Sequence, residues 1–159
     1  MDNPSNLPIR EKVETTVKVV QTEEEKQHSR SVRSQVFIDE QKVPPGLEYD
    51  AYDEDPQTVH FIAYANGVPQ GAARLRPFTP ACGKVERVAV LKEARGLGLG
   101  ALLMKAVEDQ AISRGFSSMK LNAQLHAEPF YRRIGYTPIG NVFMEADIEH
   151  IAMEKKLEI

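Results

Sequence analysis

The chain has 159 residues, of which 42% are hydrophobic, so it is long enough for one globular domain with a buried core. Its net charge of −3 argues against a nucleic-acid-binding protein, because binding to a phosphate backbone usually needs a basic surface. The single cysteine, Cys82, excludes an internal disulfide, and no apolar run approaches the ~18 residues of a membrane span.

The N-terminal segment, residues 1–12, is polar and contains two prolines, so we expect a flexible tail followed by one domain over residues 13–159. The segment lacks the basic and apolar regions of a signal peptide, which predicts a cytoplasmic protein. Valines that alternate with polar residues then predict a β-strand over residues 13–19.

A helix and an acidic segment follow this strand. Thr22 and Glu25 match a capping box, which predicts a helix from residue 23 to about residue 35. Residues 39–57 contain three prolines and seven acidic residues, a composition that predicts a long loop. Its two tyrosines favour packing, and we expect the loop on the substrate side of the protein.

The rest of the chain alternates between strands and helices. The pair Asn66-Gly67 lies between two β-like runs, which is a strong signal for a β-hairpin. Leucines, alanines and a valine at helical spacing after Gly98 predict an amphipathic helix. The predicted elements are strands at 59–65, 68–75, 84–91, 118–123, 136–139 and 150–157, and helices at 98–114 and 128–134.

The run Arg95-Gly96-Leu97-Gly98-Leu99-Gly100 lies between a predicted strand and the amphipathic helix. Its three glycines let the backbone fold closely around a ligand, and the first helical turn offers unpaired N–H groups to an anion. Arg95 adds a positive charge at the entrance. The run therefore predicts a pyrophosphate site, with an ordinary glycine-rich turn as the alternative.

Sequence context argues against two common phosphate sites. A dinucleotide site of the Rossmann type needs an acidic residue about twenty positions further on, but the strand Met119-Lys120-Leu121-Asn122 has none. A Walker A site needs a closing Gly-Lys-Ser/Thr triplet, which is missing. Coenzyme A, whose pyrophosphate can be held by backbone amides without a metal, fits what is left.

The glycine run resembles the R/Q-x-x-G-x-G/A signature of the GCN5-related N-acetyltransferase (GNAT) superfamily. The strand before the run, the strand Lys120–Ala123 and the segment Phe130–Tyr136 match that superfamily's other motifs in order and spacing. More narrowly, the chain resembles the ElaA/YjcF-like branch. That narrower resemblance lies in Val36–Gln41, Ala73–Arg76, Glu86–Val90, Ala123–His126 and Glu149–Ile151.

The resemblance implies an α/β fold of the α+β kind. Its central sheet would be mixed and mostly antiparallel, with six or seven strands, helices on both faces and splayed central strands. It also implies acetyl-CoA as the cosubstrate, with no metal. The residues implied to contact the cosubstrate are Val88, Ala89, Val90, Arg95, Gly96, Leu97, Gly98, Leu99, Gly100, Ala101, Asn122 and Tyr131.

Three side chains are candidates for catalysis. Tyr131 matches the superfamily's tyrosine near the thiol and would give a proton to the leaving sulfur, with simple aromatic packing as the alternative. Glu86 shares a strand face with Val88 and Val90 by period-two spacing, so it could act as base or water relay, unless a bulge changes the spacing or an arginine pairs with it. His126 is the other candidate base, with a surface histidine equally compatible.

The acceptor-binding candidates carry charges of both signs. Arg74 and Arg76 lie on one side of their strand and could bind an acidic group, or form an ordinary solvated pair. Glu86 and His126 would also face the acceptor. The carboxylates of the 39–57 segment would suit a cationic amine instead. His60 and His150 lie in strand-like runs and are interpreted as structural or acceptor-pocket residues.

The function expected from the resemblance is acetyl transfer from acetyl-CoA to the primary amine of a small molecule by direct attack on the thioester. A non-catalytic acyl-CoA-binding protein and a protein or peptide amine acetyltransferase are the alternatives. We expect no nucleic-acid or membrane partner, and a monomer or a homodimer.

Overall fold

Seven strands form one sheet in the computed structural model, which describes residues 12–158. The predicted tail, residues 1–12, lies outside the described residues except for Lys12. The strands are β1 (Thr15–Val19), β2 (Val59–Ala65), β3 (Val68–Thr79), β4 (Cys82–Val90), β5 (Ser118–Gln124), β6 (Thr137–Glu145) and β7 (Ile148–Lys156). Their order is β1-β2-β3-β4-β5-β7-β6, and the β4–β5 pair alone is parallel. This confirms the expected mixed, mostly antiparallel sheet.

Helices cover both faces of the sheet, as expected. The α-helices are α1 (Glu23–Arg33), α2 (Pro45–Glu48), α3 (Leu99–Ser113) and α4 (Glu128–Arg133), with a π-helical segment at Ser34–Glu40 and short 3-10 turns at Ala51–Glu54, Lys92–Ala94 and Leu125–Ala127. The predicted capping box of α1 is present. None of the helices formed by residues 12–158 has the length and hydrophobicity that a membrane crossing requires.

Strand residues divide between two cores by the period-two alternation of a pleated sheet. On one face, here called the α3 face, Val85 and Leu121 pack with Leu103 of α3 and Tyr131 of α4. The other face, here called the α1 face, is covered by α1 and the π-helical segment. Its buried members are Val32, Val36, Phe37, Ile62, Ala72, Ala89 and Leu91.

The parallel strands β4 and β5 diverge soon after they begin to pair. Their register includes only the pairs Cys82 with Ser118, Gly83 with Met119 and Lys84 with Lys120. Within the described chain, β4 therefore has no strand partner on its β5 side from Val85 onward. The divergence confirms the expected splay of the central strands and opens a cleft through the sheet.

A β-bulge in β4 determines which side chains enter this cleft. Ala72 pairs with Ala89 and Arg74 pairs with Glu86, so two residues of β4, Arg87 and Val88, lie opposite one residue of β3. Arg87 has a φ of 58°, in the left-handed region. Because of the extra residue, Glu86 lies on the α1 face whereas Val88 packs on the α3 face. The prediction that the two share a face was wrong for this reason.

The acidic segment 39–57 is not the long loop that its composition predicts. It begins with the end of the π-helical segment and contains α2 and the 3-10 turn Ala51–Glu54. Four of its carboxylates pair with arginines from outside the segment. These long-range pairs compensate for a local composition that favours a loop.

Two hairpins are longer than predicted. Strand β3 continues through Pro77. Beyond Leu75 it pairs only with β4, so the edge that faces β2 is open and can accommodate a proline, which has no backbone N–H to donate. Strand β6 continues to Glu145 and turns at Ala146-Asp147, where φ is +50° and +60°. This pair lacks the Asn-Gly signature that identifies such turns in a sequence, which is why the turn was missed.

Gly83 lies where β4 and β5 still pair, and a side chain has no room there. A Cβ at this position would lie 3.0 Å from both Leu75 Cδ1 and Phe116 Cδ2, two buried core atoms. Gly83→Ala should therefore lower the free energy of unfolding by about 1–3 kcal/mol. In urea titrations, Gly46→Ala is the control, because a Cβ there meets no atom within 4 Å. Equal stability of the two variants would contradict this packing argument.

Candidate functional site

The cleft between the diverging strands has a volume of about 730 Å³. Its walls come from β4 and β5, the π-helical segment, α4 and β7. It brings together most of the side chains predicted for the site from distant parts of the sequence. These are Glu86, Val88, Ala89, Val90, Arg95, Asn122, His126 and Tyr131.

The glycine run forms the turn between β4 and α3, at one end of the cleft. Gly96 and Gly98 have φ values of 92° and 81°, and a residue with a side chain would be strained at either position. Gly98 is the N-cap of α3 and provides no side-chain cap, and the first turn of the helix carries no acidic residue. The N–H groups of this turn are thus available to an anion, with the positive end of the helix dipole behind them.

Arg95 does not extend freely towards this turn. Its guanidinium makes two hydrogen bonds of 2.7 Å to the carboxylate of Glu40, and its Nε donates to the carbonyl oxygen of Val90 at 3.1 Å. The Glu40 carboxylate raises the pKa of Arg95, whose side chain is still 43% exposed. Arg95 therefore links the π-helical segment to the glycine run across the mouth of the cleft.

Tyr131 lies on α4 at the α3-face side of the cleft. Its ring packs edge to face against Phe130 and Tyr136, with centroid distances of 5.0 and 6.0 Å. Burial raises the pKa of its hydroxyl, so the group stays protonated near neutral pH. No residue in the described range 12–158 makes a hydrogen bond with this hydroxyl. A protonated, unpaired hydroxyl in the cleft wall is available as a donor.

Buried ion pairs form the α1-face side of the cleft. The Arg33 side chain, 1% exposed, donates to Glu48 at 2.8 Å and to Asp53 at 2.6 Å. The Arg74 side chain, also 1% exposed, contacts both oxygens of Asp50, at 2.7 and 2.8 Å, and lies 3.0 Å from Asp53. We call this set the arginine–carboxylate network. It neutralises the carboxylates that composition suggested for a cationic amine.

Glu86 belongs to the same network. It accepts hydrogen bonds from Arg74 at 2.9 Å and from Arg76 at 2.7 Å, and lies 3.3 Å from the Lys84 ammonium. Burial opposes the charged form, but the Arg76 hydrogen bond and the charges of Arg74 and Lys84 outweigh it and lower the pKa of Glu86 to about 2. A carboxylate held so strongly as an anion is a weak base. The geometry therefore favours the arginine-paired alternative for Glu86.

The two arginines predicted for the acceptor do lie on one side of β3, since both contact Glu86. Arg74 is buried beneath the acidic segment, and Arg76 packs over the ring of Tyr52 at 3.8 Å. Neither lines the cleft. Their charges are satisfied by carboxylates of the chain itself, so the geometry favours a structural role for both arginines over a contact with an acidic group of the acceptor.

The two histidines of the cleft differ in their surroundings. His126 lies on the 3-10 turn after β5 and is exposed. His150 lies on β7 with its side chain 8% exposed, stacked on Phe143, and its Nδ1 is 2.7 Å from the carbonyl oxygen of Ile148. From the sequence alone, His150 was predicted only as a structural or acceptor-pocket residue. Its position became clear only when β5 and β7 were seen to be neighbours.

One cross-cleft contact went unrecognised in the sequence. Gln41, at the end of the π-helical segment, and Gln124, at the end of β5, exchange side-chain amide hydrogen bonds of 3.0 and 2.7 Å. The pair joins the α1-side cover to the far wall of the cleft. Both residues fall in segments that carry the resemblance to the ElaA/YjcF-like branch, but nothing in those segments indicates that they meet.

Comparison with known proteins agrees with this geometry. Residues 10–157 match the family model described as an acetyltransferase (GNAT) domain. The chain belongs to the GNAT family of acetyltransferases. It is 38% identical to the uncharacterized N-acetyltransferase YjcF of Bacillus subtilis, over 86% of this chain and 96% of that protein.

Solved structures show the same likeness. An acyl-CoA N-acyltransferase from Pseudomonas aeruginosa is 30% identical, with a TM-score of 0.78 over 91% of this chain and 99% of that one. ElaA from Escherichia coli is 25% identical, with a TM-score of 0.78 over 91% of this chain and 100% of the ElaA chain. The family and the fold are thus those that the glycine run and its neighbouring segments indicated.

The network makes a prediction about acid stability. The folded-state pKa of Glu86, about 2, lies below its ordinary value of 4.5, so its stabilising contribution is present above pH 4.5 and is lost as the pH falls towards 2. We expect a loss on the order of 2–3 kcal/mol from this group over that window. Urea titrations at several pH values should show a smaller acid-induced loss for Glu86→Gln, which is already less stable at pH 7.

The matched control for this prediction is Asp109→Asn, since Asp109 pairs with Lys105 on the surface with its side chain 63% exposed. It should keep the wild-type dependence of stability on pH. If Glu86→Gln and wild type lost the same free energy between pH 5 and 2, a role of Glu86 in acid stability would be excluded.

Proposed function

We propose that this protein transfers the acetyl group of acetyl-CoA to the primary amine of a small molecule by direct attack on the thioester. The observation that carries the proposal is the arrangement of the cleft: a glycine-rich helix N-terminus at one end, an unpaired strand edge along one wall and a protonated tyrosine beside it. The name of the Pseudomonas aeruginosa relative, an acyl-CoA N-acyltransferase, supports the same chemistry.

The residues present fit coenzyme A. Backbone N–H groups from Gly96 to Ala101 would hold the pyrophosphate without any metal, as uncapped helix N-termini do. The edge of β4 at Val88–Val90 has no strand partner on its β5 side, and its backbone groups, apart from the Val90 carbonyl oxygen that accepts from Arg95, are available to the amides of the pantetheine arm, in the manner of an added strand. Asn122 on β5 faces the same cleft. Arg95 would reach the phosphates by leaving its pair with Glu40.

Acetyl-CoA supplies the activated acyl group, and the chain supplies positioning and a proton. The Tyr131 hydroxyl would donate to the departing sulfur, because burial keeps it protonated and nothing in the described chain competes for it. Backbone N–H groups of β4 near the bulge, at Val88, would stabilise the negative charge that develops on the thioester oxygen.

The acceptor would approach from the α1 face. Val88 and Val90 pack on the α3 face, so the donor arm lies towards that side, whereas Asn122, Gln124 and His150 alternate to the other. The cleft thus passes through the sheet, and the two substrates would meet between β4 and β5. Cleft residues on the acceptor side include Glu145 and His126.

The first test is catalysis itself. With acetyl-CoA, a panel of alkylamines, amino acids, amino sugars and polyamines should include at least one amine that releases thiol, detected with a chromogenic disulfide. Tyr131→Phe should lower kcat about 10²-fold while leaving the affinity for coenzyme A unchanged, because only the hydroxyl is removed. Binding of acetyl-CoA with no transfer to any amine or peptide would instead indicate a non-catalytic acyl-CoA-binding protein.

Tyr136→Phe is the matched control for the tyrosine variant. Its hydroxyl is also buried but donates to Glu108 at 2.8 Å, on α3 rather than in the cleft wall. Its removal should lower stability by about 1 kcal/mol with kcat unchanged. Equal kcat values for Tyr131→Phe and wild type would exclude the proposed proton donor.

The second test addresses the donor site. Gly98 and Gly115 lie at the two ends of α3 with φ values of 81° and 86°, and a Cβ at either meets no atom within 4 Å. Alanine should therefore cause similar backbone strain at both positions. Calorimetry should show that Gly98→Ala weakens coenzyme A binding about tenfold or more, whereas Gly115→Ala binds as wild type. If both variants bound equally well, the glycine run would not be the pyrophosphate site.

A further inference from the structure

His150 lies on the acceptor side of the cleft, on the α1 face of the sheet, whereas Tyr131 lies on the α3 face. It pairs in register with Gln124 on β5, and both side chains alternate away from Ala123 and Ile151, which pack on the α3 face. Tyr131 packs on that α3 face. The two side chains therefore flank the place where the substrates would meet, one on the amine side and one on the sulfur side.

The hydrogen bond of His150 determines which nitrogen carries its proton. Nδ1 lies 2.7 Å from the carbonyl oxygen of Ile148, and a carbonyl oxygen can only accept, so Nδ1 is the donor. In the neutral ring the lone pair is then on Nε2. Stacking on Phe143, with ring planes 25° apart, holds the imidazole in this orientation.

Four carboxylates that line the cleft are already paired with cations of the chain. Glu86 binds Arg74 and Arg76, and Glu48 and Asp50 bind Arg33 and Arg74. Glu40 binds both terminal nitrogens of Arg95. Each of these carboxylates has a cation of the chain within hydrogen-bond distance, so its oxygens are occupied and are not free to take a proton from an acceptor.

The charged and titratable groups on the elements packed against His150 are few. Glu145 of β6 lies with Oε2 3.5 Å from Nε2, too long for a direct hydrogen bond but close enough to attract a cation placed between them. On the 3-10 turn after β5, His126 faces the same cleft, and the adjacent position Gln124 is neutral. An ammonium group at this point would meet one carboxylate and one free lone pair.

We propose that His150 is the base that deprotonates the acceptor ammonium, with Glu145 attracting the cation. The inference rests on the proposed function. The ammonium gives one proton to Nε2, and the neutral nitrogen attacks the thioester carbon, forming the C–N bond. The C–S bond then breaks, the sulfur takes a proton from Tyr131, and Tyr131 recovers one from the new amide nitrogen. His150 releases its proton to solvent, so acetyl-CoA and an ammonium yield an amide, the free thiol and one proton.

The tautomer of His150 can be tested without any acceptor. In protein labelled with ¹⁵N at histidine, long-range proton–nitrogen spectra at pH 8 should show His150 with Nδ1 protonated and Nε2 bare, and His150→Asn assigns the signal. A neutral form protonated at Nε2 would overturn the proposal, because that nitrogen could not accept a proton.

The kinetic test uses n-butylamine as the probe acceptor and compares pH profiles of kcat/KM. His150→Asn retains a donor for the Ile148 carbonyl but lacks the base, so kcat/KM should fall about 10²-fold at pH 7. The wild-type profile should level off below the pH at which n-butylamine itself becomes neutral, because the bound ammonium can give its proton to Nε2. The variant should keep rising to about pH 9 or above, because only amine that is already neutral can react.

His28→Asn is the control, since His28 bonds the Tyr64 hydroxyl at 2.9 Å outside the cleft, and it should keep the wild-type profile. If His126→Asn, and not His150→Asn, changed the acid limb, the base would be His126 and the proposal would be wrong. If the kcat/KM of His150→Asn equalled that of wild type, only the role of His150 would be overturned. Acetyl-CoA binding without any transfer by wild type would overturn the proposed function and this role with it.

Discussion

The divergence of β4 from β5 is the constraint on which the rest of this structure depends. Two parallel neighbours that stop pairing after Lys84 leave a strand edge with unpaired N–H and C=O groups inside the protein. Buried backbone groups of this kind need partners, and the partner that suits a strand edge is another extended chain with amides at intervals. The pantetheine arm of coenzyme A has that character. The cleft and the position of Tyr131 in its wall follow from this opening, and the proposed orientation of the substrates depends on it.

Buried arginines pair with the carboxylates on the α1-face side of the cleft. Arg33 of α1 and Arg74 of β3 hold the segment between the π-helix and β2 against the rest of the domain. In doing so they neutralise Glu48, Asp50, Asp53 and Glu86. A buried ion-pair network is a weak source of net stability but leaves a costly unpaired charge if one member is lost, so it defines one arrangement of the cleft wall. Each of its carboxylates is paired with an arginine, which gives the carboxylates a structural role and leaves them unavailable to accept a proton.

Local signals in the sequence predicted local structure well. The Thr22–Glu25 capping box, the Asn66-Gly67 hairpin and the glycine run each depend on the conformational preferences of a few adjacent residues, and each is present. Glu86 was predicted on the wrong face of the sheet, because one extra residue at Arg87 shifts the alternation of side chains along β4. A bulge of this kind depends on pairing with β3, and no residue type at positions 86–88 marks it. The place of His150 in the cleft could not be predicted, because its neighbour on β5, Gln124, is distant in sequence.

By itself the sequence determined the family and the glycine-rich turn before α3, because such a turn is specified by φ angles that only a few residues tolerate. The tertiary structure decided the α1-face side of the cleft, from which the proposed acceptor would approach. It buried Arg74 away from the cleft, paired Glu86 with arginines and set a histidine from the last strand opposite Tyr131 across the sheet. The physical reason is that charge pairing and face alternation depend on which strands are neighbours, and strand order is established only when the whole sheet forms.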